Sequence, residues 1–121
     1  MVYCLLIIIG LQMNIMQLFC LVEGDSLKNA FAVDINRNKL VAHLKDEIKQ
    51  KNSNTFANID AKDLQLWKVE TPFNAAHINI KIANFPEDKK EELIAPMQIG
   101  DYWKDRPSNN HIHIIVHPPG N

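Results

Sequence analysis

A chain of 121 residues, 46% of them apolar, is sized for one domain and can bury a core, which sets disorder aside as the default. The formal net charge is −1, and the 13 Lys and Arg are scattered among 14 Asp and Glu. That balance leaves no electrostatic footprint for nucleic acid or for an anionic membrane surface. Two cysteines, Cys4 and Cys20, make neither a disulfide framework nor a zinc quartet.

Residues 1–15, MVYCLLIIIGLQMNI, form an apolar leader. The run from Val2 to Leu11 is too short for a bilayer, which needs about 20 residues, yet it has the length of a signal-peptide hydrophobic region. No Lys or Arg precedes it, and no Ala-x-Ala site follows it before Cys20. Three readings stand: a secretion signal, an extension packed on the domain, or translated sequence ahead of a start at Met13 or Met16. The folded part is accordingly read as residues 16–119, with 120–121 as a tail.

Residues 16–22, MQLFCLV, carry apolar side chains on both faces, the pattern of a central strand covered on two sides. Glu23-Gly24-Asp25-Ser26 supplies a turn. Residues 29–35 then alternate, with Phe31, Val33 and Ile35 inward, so a hairpin is predicted. Residues 39–52, KLVAHLKDEIKQKN, place Leu40, Val41, Leu44 and Ile48 within about a 100° arc, which makes one amphipathic helix with Asn38 as its expected N-cap.

Beyond the helix lies the Asn- and Asp-rich stretch 53–63, with Phe56 and Ile59 as anchors onto the core. Residues 64–69, LQLWKV, read as the third strand, ended by Pro72. In 74–83, Ile78, Ile80 and Ile82 alternate as in a short edge strand. Pro86, Glu87 and Asp88 resemble a helix start, which predicts a modest helix over 87–94. A loop follows over 97–105 with Ile99 and Tyr102 inward, then a turn at 107–110. Residues 111–117, HIHIIVH, close the sheet, with Ile112, Ile114 and Val116 on one face and His111, His113, Ile115 and His117 on the other.

The order hairpin, helix, strand, insert, strand resembles the ubiquitin-like β-grasp. This is an α+β fold with a mixed sheet of four to five strands packed on one main helix. A crossover through the helix is expected to set the third strand parallel to the first. The ending PPGN lacks a free diglycine, so attachment through the C-terminus is not expected.

A closer resemblance is to the N-terminal header domain of Crinkler effectors, secreted proteins of oomycetes and some fungi. The segments that carry it are Leu18-Phe19-Cys20-Leu21-Val22, Ala30-Phe31-Ala32-Val33-Asp34-Ile35 and the helix text HLKDEIK. The family's LxLFLAK translocation motif is similar to Leu64, Gln65, Leu66, Trp67, Lys68 and Val69, with Trp67 at the start of the Phe-Leu-Ala core. The family's closing HVLVxxP resembles His113, Ile114, Ile115, Val116, His117 and Pro118. The resemblance implies an N-terminal module used in secretion and host-cell translocation or in docking a protein partner. It also implies a C-terminal effector domain in longer relatives. The alternative is a cytoplasmic ubiquitin-like adaptor that binds proteins through its sheet face.

The residues offer little catalytic chemistry beside this. His111 and His113 share a strand face about 7 Å apart, but His117 lies about 13 Å beyond His113 by strand rise. A third metal ligand would have to come from elsewhere, and the sequence does not place His43 or His77 there, so the histidines are read as the outward face of an exposed strand. Apolar neighbours raise the Cys20 thiol pKa and leave it inert. Glu87, Asp88, Glu91 and Glu92, interleaved with Lys89 and Lys90, read as a solvated face rather than as paired acids. Trp67 and Trp103 are core or half-buried unless one stands exposed as an anchor. No phosphate loop, nucleophile elbow or dinucleotide fingerprint is present. The expectation is a protein-binding module with no cofactor, no metal, no nucleic acid, no stable membrane insertion and no enzymatic turnover.

Overall fold

The computed structural model describes residues 14–75 and 80–119. Strand β1, Ile15–Val22, and strand β2, Phe31–Asn36, form the predicted antiparallel hairpin, pairing Met16 with Ile35, Leu18 with Val33 and Cys20 with Phe31. In the connection Asp25 N–H donates to Val22 O at 2.9 Å. Gly24 turns there with φ of 82°, a conformation in which any Cβ is strained.

Helix α1, Val41–Lys51, buries Val41, Leu44 and Ile48, the face that the periodicity marks. Its N-terminus differs from expectation, because Leu40 and not Asn38 occupies the cap position. Leu40 has no side-chain acceptor, so the first-turn donors find others. Val41 N–H donates to Met97 O at 2.8 Å and Ala42 N–H to Ala95 O at 3.1 Å, while His43 Nδ1 accepts from Leu40 N–H at 3.0 Å. A distant segment thus satisfies orphan amides that sequence reasoning assigns to a local side chain. After the helix, Phe56 is fully buried and Ile59 packs against the same core.

Strand β3, Gln65–Pro72, strand β4, Glu91–Glu92, and strand β5, His111–His117, complete a sheet of order β2-β1-β5-β3-β4. β5 runs parallel to β1, pairing Cys20 with Ile114 and Val22 with Val116, and antiparallel to β3. β3 is therefore antiparallel to β1, against the expectation of a parallel third strand. The place beside β1 goes to the last strand, β5, which pairs parallel with β1 and antiparallel with β3.

Two further expectations are corrected. Residues 87–94 form a 3₁₀ turn, Glu87–Lys89, and then β4, which pairs Glu92 with Trp67 and Glu91 with Lys68. Only Leu93 of this stretch is fully buried and Ile94 is exposed. The segment lacks the i, i+3, i+4 apolar face that holds a surface helix, and it serves better by covering the open edge of β3. The expected edge strand over 74–83 is also absent where described. Phe73–Ala75 and Ile82–Asn84 are 3₁₀ turns, and His77 and Ile78 lie outside the described residues. The alternation reports burial all the same, since Ile80 and Ile82 both point inward.

The sheet separates two cores. Beneath α1 lie Leu18, Cys20, Val33, Leu44, Ile48, Phe56, Leu64, Leu66, Ile114 and Val116, closed by Ile99, Tyr102 and Trp103. On the opposite face Leu21, Val69, Ile112 and Ile115 pack under Ile80 and Ile82, with Phe19, Trp67, Phe73 and Phe85 at the margin. Ile112 belongs to this outer cluster and not with Ile114 and Val116. The ladder to β3 shifts register between Lys68 and Thr71, and a bulge there re-aims side chains.

Candidate functional site

The segment 64–69 is most of a strand with neighbours on both sides. Leu64 and Leu66 face α1 with almost no exposed surface, and Val69 is buried on the outer face. Gln65, Trp67 and Lys68 are half-buried. Gln65 Nε2 donates to Glu92 Oε2 at 3.0 Å across the β3–β4 edge. Lys68 Nζ donates to Tyr102 O and stands 5.2 Å from the centroid of the Trp103 ring. This is a cation–π contact.

Trp67 is packed along the outer core, and its indole Nε1 is buried with no hydrogen-bond partner. Lys90 lies over it, with Nζ 5.5 Å from the ring centroid and 3.1 Å from Ile82 O, to which it donates. The ring is therefore neither a fully satisfied core residue nor an open anchor. It is a half-covered plate held between β3 and the segment that caps it.

The closing segment divides between the two cores. Ile114 and Val116 lie under α1, Ile115 lies in the outer core, and Pro118 follows the last ladder residue. His113 overturns the reading of an exposed histidine face, because it is 3% exposed. Its Nδ1 accepts from Phe19 N–H at 3.0 Å and its Nε2 lies 2.6 Å from Ser108 O. A single neutral tautomer, protonated on Nε2, satisfies both contacts. Burial holds its pKa below the ordinary imidazole value, opposed by the bond to Ser108 O. Protonation would also turn Nδ1 from acceptor to donor against the Phe19 amide. The Phe19 ring, 6.3 Å from the imidazole centroid to centroid, and the Ser108 carbonyl close around it, which the alternation within 111–117 alone does not reveal.

His111 and His117 remain half-buried and separate. His111 Nδ1 lies 2.6 Å from Asn109 O, and His117 Nδ1 meets the Glu23 carboxylate. Among the described residues no group of three or more His, Cys, Asp or Glu converges as a metal site. Burial pushes the Cys20 thiol pKa far up. Among the described residues no helix is long and apolar enough to cross a membrane.

Sequence reasoning places Glu23 in the turn and Tyr102 inward, and Tyr102 is buried, but the hydrogen bonds of these two side chains are not legible in it. Glu23 Oε1 accepts from Ile82 N–H at 2.9 Å while its backbone N–H donates to Val116 O at 2.9 Å. One residue thereby ties the β1 end to β5 and to the outer cover. Tyr102 Oη accepts from Ile94 N–H at 2.9 Å. Only the position of Glu23 at the end of an apolar strand hints at its role.

A family model described as the Crinkler effector protein N-terminal domain matches residues 16–117. The chain is 44% identical over 102 residues to Crinkler effector protein 1 of Rhizophagus irregularis, an alignment covering 84% of this chain and 21% of that protein. It is 45% identical over 56 residues to Crinkler effector protein 15 of Phytophthora infestans, covering 46% of this chain and 9% of the relative. The chain thus spans about a fifth or less of the length of these relatives. Among solved structures, the C-terminal ubiquitin-like domain of mouse tubulin-specific chaperone e matches with a TM-score of 0.55 at 11% identity, over 89% of this chain and 90% of that one. That likeness shows the fold.

Proposed function

Because the chain belongs to the Crinkler family of effector N-terminal domains, we propose that it is the non-enzymatic N-terminal module of a secreted effector, acting in export and delivery into a host cell. The observation that carries this is the family match across residues 16–117, together with a relative of which the chain covers 21%. A module of that relative size implies a separate effector domain in the longer proteins. The folded module is assigned to residues 16–119 and the leader 1–15 to secretion.

The role of residues 64–69 follows from their burial. With Leu64, Leu66 and Val69 sealed in the two cores, the folded segment presents no continuous peptide to a receptor. Partner recognition in this reading uses surfaces of the domain, and the segment supplies the strand that shapes them.

The second reading is an intracellular ubiquitin-like adaptor that binds proteins through its sheet face. The outer sheet face here lies under Ile80, Ile82, Phe73 and Phe85, so an adaptor would have to use another surface. This favours the effector reading over an adaptor that needs an open sheet. The test is mass spectrometry of the N-terminus, recovered separately from culture medium and from cell lysate. A chain in the medium that lacks the run through Leu11 supports secretion. An intact or Met16-initiated chain confined to the lysate overturns the effector reading in favour of the adaptor.

A further inference from the structure

The chain's two arginines, Arg37 and Arg106, are far apart in sequence, yet both line one cleft of about 540 Å³. The cleft lies where β1 begins, β2 ends and the 105–110 loop passes. Gln17, Ser108, Asn109 and Asn110 add polar groups to its wall. Phe19 and Phe73 add an aromatic pair, edge to face with centroids 5.4 Å apart.

Arg37 is held in place by the residues around it. Its N–H donates to Asn14 O at 2.8 Å and its carbonyl accepts from Gly100 N–H at 2.8 Å. Gly100 leaves room for the side chain, since a Cβ built there would lie 3.1 Å from Arg37 Nε. The guanidinium therefore rests on bare backbone. Arg106 precedes Pro107, which biases its backbone toward an extended conformation.

Among the described residues neither guanidinium makes an ion pair or a hydrogen bond. Asp105, the single carboxylate of the lining, forms no ion pair with either arginine, and Glu70 stands behind the wall, accepting from Ser108 Oγ at 2.7 Å. His113 at the wall is committed to Phe19 and Ser108. Exposed arginines ordinarily spend their donors on water. Two arginines, Arg37 half-buried and Arg106 exposed, on the lining of a cleft that also holds an aromatic pair offer planar donors suited to an oxyanion. The volume lies within the range of about 300–1,000 Å³ usual for small-ligand sites.

We propose that this cleft binds a small organic anion, a carboxylate or phosphate monoester. Its charged head sits between Arg37 and Arg106, and its apolar body lies against Phe19 and Phe73. Carboxylate and phosphate share the head-group chemistry, and the probes below tell them apart.

The test is a nuclear magnetic resonance titration of the full chain with benzoate, phenyl phosphate and inorganic phosphate. The expected result is saturable movement of the Gln17, Ser108, Asn109 and Asn110 amides with benzoate or phenyl phosphate, and weaker binding of inorganic phosphate, which lacks the apolar body. Whichever aromatic probe binds tighter identifies the head group. R106Q is expected to weaken binding by about tenfold, the loss of one charge-assisted pair. R106K, which keeps the charge but not the planar fork, should fall between. R37Q should match R106Q while its amide spectrum elsewhere stays that of the folded chain. Absence of saturable movement with all three probes at millimolar concentration overturns the proposal, as does unchanged affinity in R106Q.

Discussion

Replacing His113 tests whether a buried neutral imidazole clips β1, β5 and the 108–110 turn together. His113→Leu keeps comparable bulk and removes both hydrogen-bonding nitrogens, while His113→Ala also opens a cavity. In either variant Phe19 N–H loses the acceptor now 3.0 Å away, and a buried unsatisfied donor costs about 1–3 kcal/mol. Ser108 is exposed, so water replaces its lost donor at little cost. A destabilisation of about 2 kcal/mol for His113→Leu corresponds to a melting temperature lower by about 6–10 °C in a domain of this size.

The pH dependence supplies a second readout. Burial sets the native His113 pKa below the ordinary value of 6.5, so the unfolded chain binds its proton first as pH falls. The contribution is fully present above about pH 6.5 and is lost as pH drops toward the native pKa, with a slope under about 1.4 kcal/mol per pH unit. His113→Leu removes that slope. Urea unfolding followed by circular dichroism between pH 7.5 and 5 measures both effects. If His113→Leu matches the wild type at pH 7.5 and shows the same slope below it, the buried-clip assignment is wrong.

Cys20 should resist iodoacetamide in the native chain and react after urea unfolding, with peptide mapping as the readout; labelling of the folded chain at Cys20 would contradict its burial. Leu66→Ala should cost about 2–5 kcal/mol, whereas Trp67→Phe, which places the family's residue there and deletes the unpartnered indole N–H, should cost less than about 1.5 kcal/mol; denaturant midpoints rank the two. Glu23→Ala should free the Ile82 amide from its 2.9 Å acceptor, so its hydrogen exchange should quicken about tenfold, the loss of roughly 1.4 kcal/mol. An unchanged exchange rate would show that the outer cover is held without Glu23.

Local patterns proved readable where one segment decides its own state. Val41, Leu44 and Ile48 mark the buried helix face, Val33 and Ile35 mark the inner side of the hairpin, and apolar residues on both faces of 16–22 announce a doubly covered central strand. What failed depends on partners far away in sequence. The direction of β3 relative to β1 is set by where β5 inserts. β4 is two glutamates whose strand state comes from β3 alone, and helix-start residues at 86–88 outvoted the missing apolar period. His113 beside His111 and His117 looks polar and solvent-facing until Phe19 and the Ser108 carbonyl arrive against its ring. The arginine cleft is invisible in sequence for the same reason, since nothing in Arg37 or Arg106 announces the other.

That dependence on distant partners also decides what residues 64–69 can present to a partner. β3 pairs with β5 on one side and β4 on the other, and Leu64 and Leu66 anchor it beneath the helix. Freeing the segment as an extended peptide removes a strand common to both cores, so its cost approaches that of global unfolding, about 5–15 kcal/mol for a domain. At about 5 kcal/mol only some 10⁻⁴ of the molecules would display it at any moment. A receptor that reads the bare sequence would therefore meet almost none of its target. The fold itself accounts for Leu at 64 and 66 and for a small apolar residue at 69. Substitutions at these three positions act on any function of the domain through its stability. Under the proposed delivery role, a side-chain contribution of this segment is separable from folding at Gln65, Trp67 and Lys68, which are half-buried.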